Sequence, residues 1–172
     1  MTSKTTKLAV LGGAVLVAAF AIAVAVAALD SGRGTATRAE YAETVSNTRD
    51  RIDFALVRIT RSGSQEELIE RIGEASTAVG AAGDDLGEAD VATGFESLHD
   101  RLVSTLDDFS SELAGTAAQF EDPTFAPNLQ GINSLGFLEW ENVNRILADM
   151  KKKGLRVEPL ERHLDEQPSS PG

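Results

Sequence analysis

The chain is 172 residues long, 42% hydrophobic and 5% aromatic, enough for one ordinary domain and too little for two independent cores. Its 16 Lys plus Arg against 27 Asp plus Glu leave a formal charge of -11, which argues against nucleic-acid binding because phosphate recognition needs clustered cations. The absence of Cys excludes disulfides, thiolate nucleophiles, iron-sulfur clusters and Cys-ligated zinc.

After a leader of residues 1–7, Leu8 to Leu29 is an uncharged apolar run of 22 residues. As a helix it would reach roughly 33 Å, enough to cross a bilayer. The run ends in Ala25-Val26-Ala27-Ala28, so a signal peptide cleaved after Ala27 or Ala28, giving a secreted protein, is the competing reading. The apolar core of a signal peptide is about 7 to 15 residues, and the greater length here favours a retained single-pass anchor. Lys4 and Lys7 precede the span and Arg33 and Arg38 follow it. This tie in cations is broken by the free amino terminus and the short leader, which place the amino terminus in the cytoplasm and the rest outside. Ala19, Ala23 and Ala27 recur every fourth residue, the spacing through which two spans approach as a weak homodimer.

Residues 30–36, with Gly32 and Gly34, read as a flexible tether. Thr37 and Glu40 have capping-box spacing, and Tyr41, Val45, Ile52, Leu56 and Ile59 then follow at helical intervals, with Thr48 filling the gap in the stripe. Ser64 and Glu67 repeat the spacing ahead of Leu68, Ile72, Ala75 and Val79, in a helix that Gly80 and Gly83 weaken and end. Asp84 to Ala92 reads as a loop, and Thr93 with Glu96 offers a third capping box. The helix after it has the clearest stripe: Phe95, Leu98, Leu102, Leu106, Phe109, Leu113, Ala117 and Phe120. Pro123 stops it. Beyond an irregular connection, Asn133 or Ser134 is predicted to cap a last helix carrying Leu135, Trp140, Val143, Leu147 and Met150. It closes at Lys151-Lys152-Lys153 and Gly154. Leu155 follows as the partner of a glycine C-cap, Val157 to Leu160 run extended across the bundle, and residues 164–172 form a disordered tail.

Four helices with narrow apolar stripes bury them best against one another, so the expected fold is all-α: a transmembrane helix followed by an antiparallel four-helix bundle, the folded domain spanning 37–163.

Glu96 and His99 form Glu-x-x-His, half of the ligand set of a di-iron bundle. The other histidine, His163, stands in the tail, so these two are weak metal candidates and a surface His99 is the plainer reading. No metal or other cofactor is expected. Residues 62–122 hold 15 acids against Arg71 and Arg101. Asp84, Asp85, Glu88 and Asp90 within them lack the alternation of a calcium loop and read as solvated surface. Gly131, Ser134 and Gly136 do not have nucleophile-elbow spacing, and no phosphate loop is recognisable, so catalytic residues are not assigned and an enzyme is not expected. Trp140, Asn144 and Arg145 are candidates for an interaction surface, with a core Trp as the bland alternative.

Leu98 to Leu102 (Leu-His-Asp-Arg-Leu), the Trp140 to Leu147 segment and the Lys-Lys-Gly-Leu-Arg-Val-Glu-Pro-Leu ending behind an alanine-rich anchor give the chain a further cue. It resembles single-pass, membrane-anchored extracytoplasmic helical proteins of high-GC bacteria. That resemblance implies no activity, cofactor or functional residue. The expectation is a membrane-tethered interaction or scaffold component of the cell envelope with a protein partner. A small-ligand-binding or sensor bundle signalling through a partner is the alternative.

Overall fold

The computed structural model describes residues 35–122 and 136–161. The apolar span 8–29, most of the tether, the connection after Asp122 with its Asn133 or Ser134 cap, His163 and the tail lie outside the described residues. Among those described, no helix is long and apolar enough to cross a membrane.

The described chain is all-α: α1 (Arg38–Ile59), α2 (Gln65–Gly87), α3 (Glu96–Glu121) and α4 (Leu138–Lys152), with no strand among the described residues. The helices associate as a bundle whose close pairs are α1 with α2, α2 with α3, and α3 with α4. Each buries the stripe its spacing specifies. In α1 these are Tyr41, Val45, Thr48, Ile52, Leu56 and Ile59; in α3 they run from Leu98 through Leu102, Leu106, Phe109 and Leu113 to Phe120. Where α2 and α3 touch, residue numbers rise along α2 as they fall along α3, from Ser76 with Ser110 to Gly83 with Leu106 and Gly87 with Val103. The two therefore run in opposite directions.

Three helix ends depart from the local signals. α2 continues through Gly80 and Gly83 to Gly87. A Cβ at Gly83 would lie 3.2 Å from the Leu106 Cβ, and one at Gly80 3.1 Å from the Ser110 Oγ, so these glycines mark where α3 approaches most closely. Each costs about 1 kcal/mol of helix propensity relative to Ala. Burial of Ala82 between them and of Leu86 beyond offsets that, since a fully buried Leu contributes roughly 1.5–3 kcal/mol.

The Thr93–Glu96 box is not formed. The N-cap of α3 is Phe95, with no side-chain cap bond. Gly94 at φ +87° turns the chain so that Phe95 enters the core, and the Glu96 carboxylate accepts from the Gly94 N–H at 3.0 Å. At the third end, α4 starts at Leu138 rather than just after Ser134. The Glu112 carboxylate of α3 accepts its first two free N–H groups, Leu138 N at 2.8 Å and Glu139 N at 3.0 Å.

The other caps follow the sequence. Thr37 and Glu40 form a full capping box, while Ser64 Oγ accepts from Glu67 N and the Glu67 carboxylate reaches past it to Gly63 N. Gly154 at φ +90° ends α4, with Gly154 N donating to Lys151 O at 2.9 Å and Leu155 N to Met150 O at 3.0 Å, the two bonds of a Schellman motif. Residues 155–161 then run without helix, burying Leu155, Val157 and Leu160.

Candidate interaction surfaces

The Glu96–His99 pair separates into two unrelated roles. The Glu96 carboxylate is exposed at the start of α3, where bonds from its own N–H and that of Gly94 hold its pKa below the usual carboxylate range. His99 is 2% exposed, which corrects the surface-histidine reading. Its Nδ1 lies 3.2 Å from the hydroxyl of Tyr41 on α1, and the two rings stand 5.9 Å apart. An imidazole is buried here because a distant phenol supplies a polar partner, which no spacing within α3 announces. Burial, reinforced by Asp100 and Glu96, pushes the Tyr41 phenol well above its usual range. Arg38 stacks over Phe95 at 5.6 Å and closes this end of the core. Among the described residues no group of three or more His, Cys, Asp or Glu is placed to hold a metal ion.

Trp140, Asn144 and Arg145 lie on α4 in different surroundings. Trp140 is half-buried against the core. Asn144 Oδ1 accepts from the Leu160 backbone N–H at 2.7 Å, so it holds the carboxy-terminal segment. Arg145 is exposed on a separate shallow groove beside Arg101, Ser104 and Asn142.

The surface that the sequence reading misses is on α1 and α2. Phe54 is 68% exposed, one of two large apolar side chains so placed among the described residues. It stands over a groove of about 430 Å³ that includes Ala55, Ala75 and Ala78. Two ion pairs tie the helices together nearby, Arg58 with Glu74 at 2.9 Å and Arg51 with Asp85 at 2.5 Å. The charged lining, Asp50, Arg51, Arg58 and Glu74, sums to zero. A signal did exist: Phe54 lies off the stripe through Ile52, Leu56 and Ile59, and an aromatic residue on the polar face of an amphipathic helix has no role in the core.

A second groove, about 520 Å³, runs along Gly80, Gly83 and Gly87 of α2 beside His99, Asp100 and Val103 of α3. It is the outer margin of the close helix approach.

No family model matches this chain, and neither the curated proteins nor the solved structures give a match.

Proposed function

We propose that the chain is a non-enzymatic, membrane-tethered module of the cell envelope: an antiparallel four-helix bundle held outside the cytoplasmic membrane by residues 8–29, which binds a protein partner. The observation that carries the reading is Phe54, exposed above the groove containing Ala55, Ala75 and Ala78. An apolar floor of small side chains under an exposed ring leaves space for an inserted apolar side chain, the arrangement of an interface anchor. The charge-balanced lining offers a polyanion no net attraction and suits a protein surface of mixed charge. The apolar run 8–29 supports the tether, since it carries no charge over 22 residues.

The test places a photoreactive phenylalanine analogue at position 54 of the full chain in native membranes, with position 107 on the outer face of α3 as control. A discrete protein adduct at 54, identified by mass and missing at 107, is expected. Adducts to lipid alone, or equal labelling at both positions, would overturn the interaction reading. Carbonate and salt washing tests the tether separately: the full chain remains with membranes, whereas a soluble product beginning at Ala28 or Leu29 overturns the anchor.

The small-ligand bundle stands second. Its site would be the groove beside His99, and the imidazole there is already engaged with Tyr41.

A further inference from the structure

Arg101 of α3 and Arg145 of α4 line one shallow groove of about 190 Å³, together with Ser104, Thr105, Asn142 and Ile146. The two helices are antiparallel here: Glu112 of α3 caps the start of α4, and Lys153 at the end of α4 donates to the Gly94 carbonyl ahead of α3. That register brings the arginines to the same level. The grooves at Phe54 and at His99 both include carboxylates, whereas the lining of this one has none.

The packing of the bundle does not use these two cations. The ion pairs among the described residues are made by Arg49, Arg51, Arg58, Arg71, Lys151 and Lys152, and neither Arg101 nor Arg145 joins one. Residues three and four away from Arg101 along α3 are Ser97, Leu98, Ser104 and Thr105, so no acid stands beside it on its own helix. Asp149 lies four residues beyond Arg145 but is taken by Lys152 at 3.0 Å. Lys152 holds the Asp149 carboxyl below its usual range, and Arg101 and Arg145 add to this only through their field.

The hydroxyls of the groove are likewise uncommitted. Thr44, Thr77 and Thr116 each donate to the carbonyl four residues back, while Ser104 and Thr105 make no such bond among the described residues.

We propose that this groove is a binding site for one phosphate group, held by the guanidiniums of Arg101 and Arg145 and the hydroxyls of Ser104 and Thr105. Guanidinium forks bind phosphate oxygens in pairs, and their two charges match the charge of about −1.5 to −2 that a phosphate monoester carries at pH 7. Two forks with two hydroxyls offer more donors than the two oxygens of a carboxylate accept, and suit the three or more oxygens of a tetrahedral anion. Only two cations converge, so the site takes a single phosphate group and not a polyanion, which the formal charge of -11 repels. The group arrives on a small soluble ligand or on a lipid headgroup. This inference is independent of the Phe54 surface.

The test uses phosphorus NMR of inorganic phosphate with the full chain in neutral-detergent micelles at fixed ionic strength. Saturable line broadening is expected. Loss of the charge-assisted bonds in Arg101→Gln/Arg145→Gln should weaken binding at least about tenfold. Arg61→Gln/Arg156→Gln removes the same charge from exposed positions outside the groove and should bind phosphate as the native chain does. Thr105→Val, nearly isosteric and retaining both cations, should also weaken binding, and it decides the question if the arginine variant fails to fold.

No saturable broadening with the native chain overturns the site, as does equal weakening in the two arginine variants or unchanged binding in Thr105→Val. Displacement of phosphate by an equal concentration of acetate overturns the phosphate assignment in favour of a carboxylate. Phosphatidic acid supplied in the micelles separates the sources: displacement of inorganic phosphate supports a lipid headgroup, and its retention supports a soluble phosphate ligand.

Discussion

Ser76 on α2 and Ser110 on α3 each donate a hydroxyl hydrogen bond to the other's backbone carbonyl, at 2.8 and 2.9 Å. The exchange is reciprocal and partly buried, and it pins the register of the two helices where glycine and serine bring them together. Each single substitution, Ser76→Ala or Ser110→Ala, should cost about 0.5–1.5 kcal/mol in a urea titration. Because each hydroxyl serves the other's carbonyl, the double variant should differ from the sum of the singles by roughly 0.5 kcal/mol or more. Strict additivity would mean that the two bonds form independently.

The register of α3 is tested by adjacent residues. Leu106 is fully buried and Asp107 is exposed. Leu106→Ala removes contacts and leaves a cavity between α2 and α3, at a cost of roughly 2–5 kcal/mol. Asp107→Ala should change stability by less than about 0.5 kcal/mol. Equal shifts in the urea midpoint would place the wrong face inward.

Stability should fall at both ends of the pH scale for different reasons. The folded pKa of Tyr41 is raised above its ordinary value of 10.0, so its contribution is fully present below that value and is lost as pH rises beyond it. Tyr41→Phe should flatten the alkaline limb of a denaturation series and, by removing the partner of His99 Nδ1, lower stability at neutral pH by about 1–3 kcal/mol. On the acid side, Glu40 is lowered from 4.5 by its bonds from Thr37. Its contribution is present above that value and lost as pH falls below it, so Glu40→Gln should reduce the acid slope.

The carboxylate of Glu112 caps a helix that begins 26 residues later. Glu112→Ala leaves the amino-terminal N–H groups of α4 without that acceptor and should cost about 0.5–2 kcal/mol, the range for loss of an N-cap. Hydrogen exchange is the sharper readout. The first turn of α4 should lose protection while Ile146 and Leu147, in the core, keep theirs; uniform loss along α4 would contradict a capping role.

Two glycines should respond with opposite signs. A Cβ at Gly73, within α2, meets nothing within 4 Å, whereas Gly154 sits at φ +90°. Gly73→Ala should stabilise by about 0.4–1 kcal/mol and Gly154→Ala should destabilise by about 1 kcal/mol or more, both read from thermal midpoints.

The sequence by itself determined that the described chain is helical and which faces turn inward. The stripes of Tyr41 to Ile59 and Leu98 to Phe120 recur every three or four residues, and burial follows that period directly. It also determined the local stops and starts, Thr37 with Glu40 and Gly154 with Leu155, because their partners lie within a few residues along the chain.

Tertiary structure decided what depends on remote partners. α2 persists past Gly80 because α3 packs there, His99 is inside because Tyr41 meets it from 58 residues away, and α4 begins where Glu112 reaches it. Asn144, read from sequence as part of an outer surface, turned out to hold Leu160, and Phe54 emerged as the exposed ring on a groove that two helices make together. Periodicity and caps are local quantities, while a close approach, a polar partner for a buried ring and a groove between helices exist only after the stripes have met.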